Sequence, residues 1–266
     1  MHSATASRHP YFAAGTPPRV LAHRGLVTPE AAALGVVENS FAAVAEAHAA
    51  GIAYVESDCH LTADGTVVLF HDDDLARVTG DPRRLADVRL HELEEVMADR
   101  GGLITLPQAL EAFPHTRFNL DVKAEAAAEP VGRTVAAHAA RVLVTSFSDE
   151  RRRRALAAAA RSGASMRPAT SPGSATVARL VAAVAAGLSP VARRLLRDLD
   201  ALQVPERQGP VRVVSPRLIR AAHAAGVEVH VWTVNDEPDM RRLLEMGVDG
   251  IVTDRADVAL AVVNAR

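Results

Sequence analysis

Residues 54–72 read YVESDCHLTADGTVVLFHD, a stretch rich in strand-forming residues that also carries six acidic or histidine side chains. Its two apolar runs, 52–61 and 66–71, are separated by only four residues, whereas a parallel crossover needs a dozen or more. The runs are therefore predicted to form an antiparallel hairpin. A two-residue type I′ turn requires positive φ at both of its positions, which Asp-Gly accommodates well. Asp64-Gly65 is therefore predicted to form such a turn.

This turn sets the predicted register of the hairpin. Ala63 should face Thr66, which places Asp58 opposite His71, and Glu56 should share the face of Asp58 because side chains alternate along a strand. Two carboxylates on one face repel each other unless a cation compensates them. A divalent metal would do so, while the alternative is a solvent-facing edge hairpin with ordinary charges. The stretch alone does not distinguish the two.

The rest of the chain alternates between β-rich runs and alanine-rich helical runs, which is typical of a parallel sheet with helices outside. Candidate helices include 40–49, 106–112, 216–225 and 237–246. Nine candidate strands are present, at 19–24, 52–61, 66–71, 117–123, 141–147, 163–168, 200–204, 227–234 and 249–253. Since 66–71 belongs to the hairpin, eight parallel strands remain, the number that closes a (β/α)8 TIM barrel with a small β-hairpin insertion after the second strand.

The length of 266 residues fits either two modest domains or one such barrel, and the lack of a linker-like stretch between residues 20 and 260 favours one domain. That domain is predicted at 1–266, with a core at about 19–262 and an N-terminal extension at 1–18. The single cysteine, Cys59, excludes an internal disulfide and a zinc–thiolate site. A net charge of −2 and a pI near 6.6 argue against nucleic acid as a partner. We expect no membrane span, since arginine and proline interrupt the longest apolar run, and a cytoplasmic location, since residues 1–20 lack a secretory apolar core.

Several ionisable residues fall at predicted strand ends, where (β/α)8 barrels build their active sites. The first strand ends in LAHRG, with His23 and Arg24, and the strand at 117–123 ends in NLDVK, with Asp121 and Lys123. Histidine transfers protons near neutral pH, and arginine binds phosphate oxygens with two parallel donors. Lys123 is the only lysine in the chain, which suggests a need for a compact ammonium at this position. Asp121 has the alternative interpretation of a salt-bridge partner of Lys123.

Three other residues receive structural interpretations. His60 lies near the hairpin turn and is expected to make a side-chain hydrogen bond rather than to bind a metal. Asp254 follows the last strand and is expected to be a helix N-cap. Trp232 can be either a core residue or part of a pocket, and its position near the end of a late strand favours the pocket.

A series of motifs in fixed order resembles the glycerophosphodiester phosphodiesterase family. The motifs are AHRG, ENS at 38–40, ESDCHLTADGTVVLFHD, NLDVK, TSF, VWTVN at 231–235 and GVDGIVTD at 247–254. They extend over about 235 residues, so a single chance motif does not explain them. The resemblance implies a TIM barrel, with the hairpin as the family's small insertion.

The resemblance also implies roles for particular residues, and a reaction. In the family, one histidine acts as base and the other as acid while a neighbouring glycerol hydroxyl attacks phosphorus, which gives glycerol 3-phosphate and an alcohol through a cyclic phosphate. The metal is expected to be one divalent cation, Ca²⁺ or Mg²⁺, because all the implied ligands are oxygens. Most relatives carry glutamate at the third ligand position, so this chain departs there by one methylene. The implied roles are catalysis by His23 and His71, metal binding by Glu56, Asp58 and Asp121, phosphate contact by Arg24 and Lys123, support by Glu38 and Asn39, and a pocket wall by Trp232.

Two alternatives remain at this stage. A lysophospholipase D-type enzyme would need an apolar rim around the barrel mouth, for which the sequence shows no clear amphipathic insertion. A catalytically silent phosphate-binding barrel would have no need for both histidines and all three carboxylates. The partner is expected to be a small-molecule glycerophosphodiester, and the sequence indicates neither its head group nor the oligomeric state.

Overall fold

The structure, a computed structural model, describes residues 9–265, and the first eight residues of the predicted N-terminal extension lie outside them. Its strands are β1 Arg19–His23, β2 Tyr54–Leu61, β3 Val67–Leu69, β4 Arg117–Val122, β5 Val142–Thr145, β6 Ala169–Thr170, β7 Ala201–Pro205, β8 Arg207–Gln208, β9 Val211–Arg212, β10 Glu228–Trp232 and β11 Gly250–Thr253. Strands and helices alternate along most of the chain, as the sequence predicted.

The helices fall between the strands. They are α1 Pro29–Ala33, α2 Phe41–Ala49, α3 Ala76–Thr79, α4 Leu90–Met97, α5 Leu106–Ala112, α6 Ala128–Val135, α7 Asp149–Arg161, α8 Ser174–Ala185, α9 Ser189–Leu196, α10 Pro216–Ala224, α11 Glu237–Met246 and α12 Ala256–Asn264. Short 3₁₀ helices lie at Pro10–Ala13, Leu85–Asp87, Ala98–Arg100 and Ala136–Arg141. None of the helices within residues 9–265 has both the length and the apolar character needed to cross a bilayer.

Local sequence signals account for several helix starts. Ser40 and Thr105 each accept a hydrogen bond from a backbone N–H three residues later, and Gln108 completes a capping box with Thr105. Ser215 caps α10 in the same way, and Pro216 at its first position has its φ already set for a helix. The helices predicted at 40–49, 106–112, 216–225 and 237–246 are therefore confirmed to within one residue.

Eight parallel strands form a nearly closed (β/α)8 barrel in the order β6-β5-β4-β2-β1-β11-β10-β7. The remaining gap, between β6 and β7, is spanned by a backbone hydrogen bond of 3.0 Å from Asp200 N to Thr170 O. The predicted fold is confirmed, and each βα loop opens onto the same C-terminal rim. In this circle β6 lies four places from β1 and β7 lies four places from β2, so these two pairs are on opposite sides of the barrel.

The predicted hairpin is present, but its predicted register is wrong by one residue. Cys59 pairs with Leu69 and Thr62 N donates to Thr66 O, so the loop has three residues and Asp58 lies opposite Phe70 rather than His71. The Thr62 hydroxyl causes the difference, since it binds both Asp64 Oδ1 at 2.5 Å and Thr66 N at 3.0 Å. Only the glycine of the loop has a positive φ, at 83°, as in a three-residue loop with a G1 bulge.

Two further strand predictions require correction. The sixth strand was predicted at 163–168 and lies at Ala169–Thr170, after a proline at position 168 that cannot donate to a ladder. A second hairpin, the two-stranded ribbon β8–β9 that follows β7 on the C-terminal rim, was not predicted. Both corrections concern the same side of the barrel, which later forms the apolar part of the cavity.

The N-terminal end of the barrel is closed by the segment that precedes β1. Tyr11 and Phe12 are buried there against the inner face of the sheet. Below them Arg19 binds Glu228 with two hydrogen bonds, of 2.7 and 2.9 Å, and donates a third to the Tyr54 hydroxyl. Arg19 also donates to backbone carbonyls of the preceding segment, which ties this segment to the barrel.

Candidate active site

The first βα loop holds two of the predicted site residues at the barrel rim. β1 ends at His23, and Arg24 follows in the left-handed region with φ of 60°. The Arg24 N–H donates to the Glu56 carbonyl at 2.8 Å, which fixes the turn against β2. Gly25 is required here, because its φ is 89° and an added Cβ would lie 2.6 Å from the carbonyl carbon of Ala43. The HRG sequence therefore directs both side chains into the cavity that the barrel mouth encloses.

Three carboxylates converge in this cavity because the parallel ladders align their strands. His23 pairs with Glu56 across β1 and β2, and Asp58 pairs with Asp121 across β2 and β4. The Lys123 ammonium lies between the two aspartates, 3.0 Å from Asp58 Oδ1 and 2.7 Å from Asp121 Oδ2. The predicted Asp121–Lys123 salt bridge and the predicted carboxylate cluster are thus both present.

Burial strongly affects these carboxyl groups. Burial, reinforced by the charge of Asp58, raises the pKa of Glu56 to about 8. Burial also raises the pKa of Asp121, and Lys123 only partly offsets it. Burial alone would raise the pKa of Asp58, but the positive charges of Lys123 and Arg24 outweigh it and lower that pKa. The cluster therefore carries more buried acid than its own cations compensate.

Glu38 and Asn39 do not line the cavity, but each contacts a residue that does. Asn39 Nδ2 donates to Asp58 Oδ2 at 3.1 Å, and Asn39 Oδ1 accepts a hydrogen bond of 2.5 Å from the Ser57 hydroxyl. Glu38 lies 3.5 Å from an Arg24 terminal nitrogen, and Arg24 Nε lies 3.0 Å from Asp58 Oδ2. Asn39 thus contacts the Asp58 carboxylate, and Glu38 contacts the Arg24 guanidinium.

Each of the two predicted catalytic histidines is held by a carboxylate at Nδ1. His23 Nδ1 lies 2.6 Å from Asp254 Oδ1, and His71 Nδ1 lies 2.6 Å from Asp72 Oδ1. A carboxylate at Nδ1 orients the ring and leaves Nε2 for chemistry. Burial alone would lower the pKa of His23, but the Asp254 hydrogen bond and the charge of Glu56 raise it above its usual value.

The expected role of Asp254 is wrong. Its carboxylate binds His23 and accepts a hydrogen bond from Asn235 Nδ2 at 2.8 Å, while α12 begins two residues later at Ala256. An acidic residue between a strand and a helix has the sequence pattern of a cap, so the pattern alone did not separate the two roles. Its place at the end of β11, on the same rim as His23, is the signal that identifies it.

The interpretations of His60 and Trp232 agree with the structure. His60 Nε2 bonds to the His71 carbonyl oxygen at 3.1 Å, which is the expected side-chain hydrogen bond. Trp232 lines the cavity and contacts Phe147, with ring centroids 5.8 Å apart. Phe147 in turn lies under the Lys123 ammonium, 5.3 Å from its ring centroid.

The cavity has a volume of about 820 Å³ and includes residues that the sequence analysis did not single out. Asn119 and Gln203 reach it from β4 and β7, and the Oδ1 and Oε1 atoms of these two side chains are buried without a hydrogen-bond partner. Both residues lie in strand interiors, where an amide among apolar residues marks an inward-facing polar position. The polar residue among alternating apolar ones was the sequence signal that could have identified Asn119 and Gln203.

The oxygen donors of the cluster are suited to a hard cation. Glu56 Oε2 and Asp121 Oδ1 are buried without a hydrogen-bond partner, an arrangement that costs free energy unless a cation or donor satisfies them. Carboxylate oxygens are the ligands that Ca²⁺ and Mg²⁺ prefer. Across residues 9–265, no three His, Cys, Asp or Glu side chains stand at metal-binding spacing. The Lys123 nitrogen lies between the Asp58 and Asp121 carboxylates. The donor chemistry fits the predicted ion, with Lys123 as the competing cation.

Comparison with known proteins places this site in a family. The model of the glycerophosphoryl diester phosphodiesterase family matches residues 23–258, from His23 to α12. The chain belongs to this family. It is 39% identical over 251 residues to a probable glycerophosphodiester phosphodiesterase 2 of Mycobacterium tuberculosis, a match that covers 92% of this chain and 90% of the relative. The chain is therefore an enzyme of the glycerophosphodiester phosphodiesterase type.

Two other similar proteins match different shares of this chain. Human lysophospholipase D GDPD1 is 34% identical over 101 residues, which is 33% of this chain and 32% of that protein. A phosphodiesterase of Oleispira antarctica, solved in complex with the product sn-glycerol-3-phosphate, is 23% identical with a TM-score of 0.69. That match covers 93% of this chain and 97% of the other, and it shows a common fold.

Proposed function

We propose that the chain hydrolyses glycerophosphodiesters to glycerol 3-phosphate and an alcohol, with His23 and His71 as the acid and base. The observation that carries this proposal is the pair of imidazoles, each held at Nδ1 by a carboxylate, in one cavity with two fixed cations. A phosphodiester needs proton transfer at both the attacking and the leaving oxygen, and two oriented imidazoles supply both.

The phosphate is bound by Arg24 and Lys123 in this proposal. Both side chains line the cavity and both are already paired with Asp58, at 3.0 Å in each case. Their positive charges offset the charge of the phosphodiester, which otherwise repels an attacking oxygen. Asn39 and Glu38 act as positioning residues, since they fix Asp58 and Arg24, and Trp232 forms an apolar wall of the pocket.

A divalent cation completes the charge balance. The family uses a divalent metal, and we assign one Ca²⁺ or Mg²⁺ to Glu56, Asp58 and Asp121. When bound, such an ion acts as a Lewis acid on a phosphoryl oxygen. The buried carboxyl oxygens of Glu56 and Asp121 that have no partner support this assignment. The family resemblance implies glutamate at this third position, and Asp121 is one methylene shorter.

The proposed reaction proceeds in two proton-coupled steps. In the first, one imidazole removes the proton of the glycerol hydroxyl next to the phosphoester, and the freed oxygen bonds to phosphorus. The phosphorus–oxygen bond to the leaving alcohol breaks, and the other, protonated imidazole donates its proton to that oxygen. In the second, the imidazole that has lost its proton removes one from water, whose oxygen bonds to phosphorus. The phosphorus–oxygen bond made in the first step breaks, and the other imidazole protonates the released glycerol oxygen, which yields glycerol 3-phosphate.

The test is release of glycerol 3-phosphate from glycerophosphocholine by purified protein, before and after chelation and after addition of Ca²⁺ or Mg²⁺. We expect turnover that chelation abolishes and that one of the two ions restores. Turnover that survives exhaustive chelation would refute the metal assignment. Absence of glycerol 3-phosphate with either ion would refute the reaction and favour a phosphate-binding barrel.

A further inference from the structure

The cavity above the barrel is chemically divided, and the division follows the strand order. The ionisable residues that line it all lie between His23 and Lys123, on β1 to β4 and their loops. The other side is built from elements that follow β6 and β7, the strands opposite β1 and β2. One cavity therefore has a charged side and, across the barrel mouth, an uncharged side.

The uncharged side is lined mainly by aliphatic side chains. The lining residues of helix α8 are three or four positions apart, so they lie on one face of the helix. The ribbon β8–β9 and the residues just after it form another wall of the cavity. Gln203 and Gln208 add uncharged amides, and no ionisable residue of the described chain lines this side. Its main lining residues are Val177, Val181, Ala182, Ala185, Val211 and Val213.

Several of these side chains are open to solvent, which is unusual for aliphatic residues gathered in one place. Val211 is 51% exposed, and Ala182 and Ala185 are exposed on the outer turns of α8. A contiguous exposed apolar surface generally marks a binding site. Here the surface is concave and continuous with the phosphate end, so a ligand that occupies it also reaches the charged residues.

Two aromatic rings lie between the two sides. Phe147 follows β5 and Trp232 ends β10, the strands that flank β6 and β7 in the barrel order. The centroids of the two rings are 5.8 Å apart. Phe147, which is 56% exposed, also lies beneath the Lys123 ammonium. A ligand that passes this pair moves from a cationic environment into an aliphatic one.

We propose that the apolar side, named here the chain groove and defined by the six aliphatic residues above, binds one alkyl chain covalently attached to the phosphodiester substrate. This proposal rests on the proposed function and specifies its substrate class as single-chain amphiphilic phosphodiesters. The charged side holds the phosphodiester anion and the groove removes the chain from water. A chain on the glycerol and a chain on the leaving alcohol have the same chemistry in the groove.

Binding can be tested without turnover, because Trp232 is the only tryptophan and borders the groove. Hexyl-, octyl- and decylphosphocholine are titrated below their micellar concentrations while Trp232 fluorescence is recorded. These probes carry the phosphodiester and a chain but lack the glycerol hydroxyl that the proposed mechanism requires. We expect the Kd to fall about twofold to fourfold for each added methylene, as for partial to full burial.

A matched pair of variants on α8 locates the effect. Ala182→Asp places a charge in the groove, whereas Ala175→Asp places the same charge on an exposed position of the same helix outside the cavity. Ala182→Asp should remove the dependence of Kd on chain length, and Ala175→Asp should retain it. A Kd that is independent of chain length in the wild-type protein, or a dependence that survives in Ala182→Asp, would overturn the proposal.

Turnover then identifies where the chain is attached. Octanoyl-lysophosphatidylcholine is compared with glycerophosphocholine, and glycerophospho-N-octanoylethanolamine with glycerophosphoethanolamine, by the kcat/KM that the enzyme shows for each substrate. We expect at least one amphiphile to exceed its chain-free parent by about tenfold or more, in line with burial of several methylenes. If both parents are hydrolysed and neither amphiphile is better, the groove proposal fails alone. If no substrate is hydrolysed while the Kd series holds, the proposed function fails and the groove binds chains without catalysis.

Discussion

Charged groups are buried at both ends of the barrel, and their carboxylates differ in how completely they are hydrogen-bonded. At the N-terminal end Arg19 and Glu228 form a bidentate pair, and their remaining donors and acceptors bind Tyr54, His230 and backbone carbonyls. At the C-terminal end Glu56 and Asp121 each retain a buried oxygen without a partner. A fully hydrogen-bonded buried charge holds the fold together, whereas an unsatisfied one is tolerated where a ligand or ion is to bind.

The largest expected effect at the rim is the loss of a histidine. His23→Ala and His71→Ala should each lower kcat about 10²- to 10⁴-fold, because each removes one proton-transfer group. The free energy of unfolding should change little, since neither ring belongs to the buried core. Steady-state kinetics and chemical denaturation measure the two quantities. His115→Ala, an exposed histidine outside the cavity, is the control, and retained turnover in either site variant would contradict the assignment.

A smaller effect is expected when a histidine loses its orientation. Asp254→Asn should lower kcat by about 10²-fold, because an amide that donates to Nδ1 favours the wrong tautomer and displaces the ring. KM should change less than kcat, since Asp254 contacts the catalytic ring rather than the phosphate in this account. The pH profile of kcat/KM should also shift, because Asp254 is one cause of the raised pKa of His23. An unchanged profile together with a reduced rate would indicate a purely structural role.

Replacement of the only lysine should have a more modest effect. Lys123→Arg keeps the charge, but the longer planar guanidinium cannot take the place of an ammonium held within 3.0 Å of both Asp58 and Asp121. Loss of one charge-assisted hydrogen bond costs about 1.5 kcal/mol, which should lower kcat/KM roughly tenfold. Arg241→Lys, at an exposed position of α11 outside the cavity lining, is the control. Full activity of Lys123→Arg would show that any cation suffices.

The smallest effect concerns a half-buried pair at the N-terminal end, formed by His223 of α10 and Asp249, which precedes β11. A hydrogen bond of 2.7 Å to Asp249 raises the pKa of His223, despite partial burial that would lower it. Because the folded-state pKa is raised, the pair stabilises fully below the unfolded pKa of about 6.5, and this contribution is lost as pH rises through the folded value. Solvent screening should keep it below about 1 kcal/mol. Denaturation of wild type and His223→Ala at pH 5.5 and 8.5 should show the larger difference at pH 5.5.

Most of the barrel and much of the site follow from the sequence because they depend on short-range rules. Strand alternation and the helix caps predict the barrel, and the ends of predicted strands select His23, Arg24, Asp121 and Lys123. The alternation along β2 also places Glu56 and Asp58 on one face, and both line the cavity. These predictions need no knowledge of distant contacts.

The predictions that failed depend on side-chain competition or on distant partners. The hairpin register depends on the hydroxyl of Thr62, which a turn rule based on Asp64-Gly65 does not include. Asp254 has the sequence pattern of a cap because its partner, His23, lies 231 positions away in the chain. The chain groove is lined by α8 and the ribbon β8–β9, which border the same cavity only in the folded barrel, so no single sequence segment displays it.

The measurement that most directly tests the contrast between the two ends compares Glu228→Gln with Glu56→Gln. Turnover of glycerophosphocholine is measured with the divalent ion, and the free energy of unfolding is measured in chelator. Glu228→Gln should lower the unfolding free energy by about 3–5 kcal/mol, because it leaves the Arg19 charge unpaired, while the folded enzyme retains wild-type kcat/KM. Glu56→Gln should abolish turnover and leave stability unchanged or higher, since a carboxyl whose pKa is raised to about 8 in the folded state must take up a proton on folding at pH 7, which costs stability. A strongly destabilised Glu56→Gln with normal turnover, or an inactive and fully stable Glu228→Gln, would contradict the account.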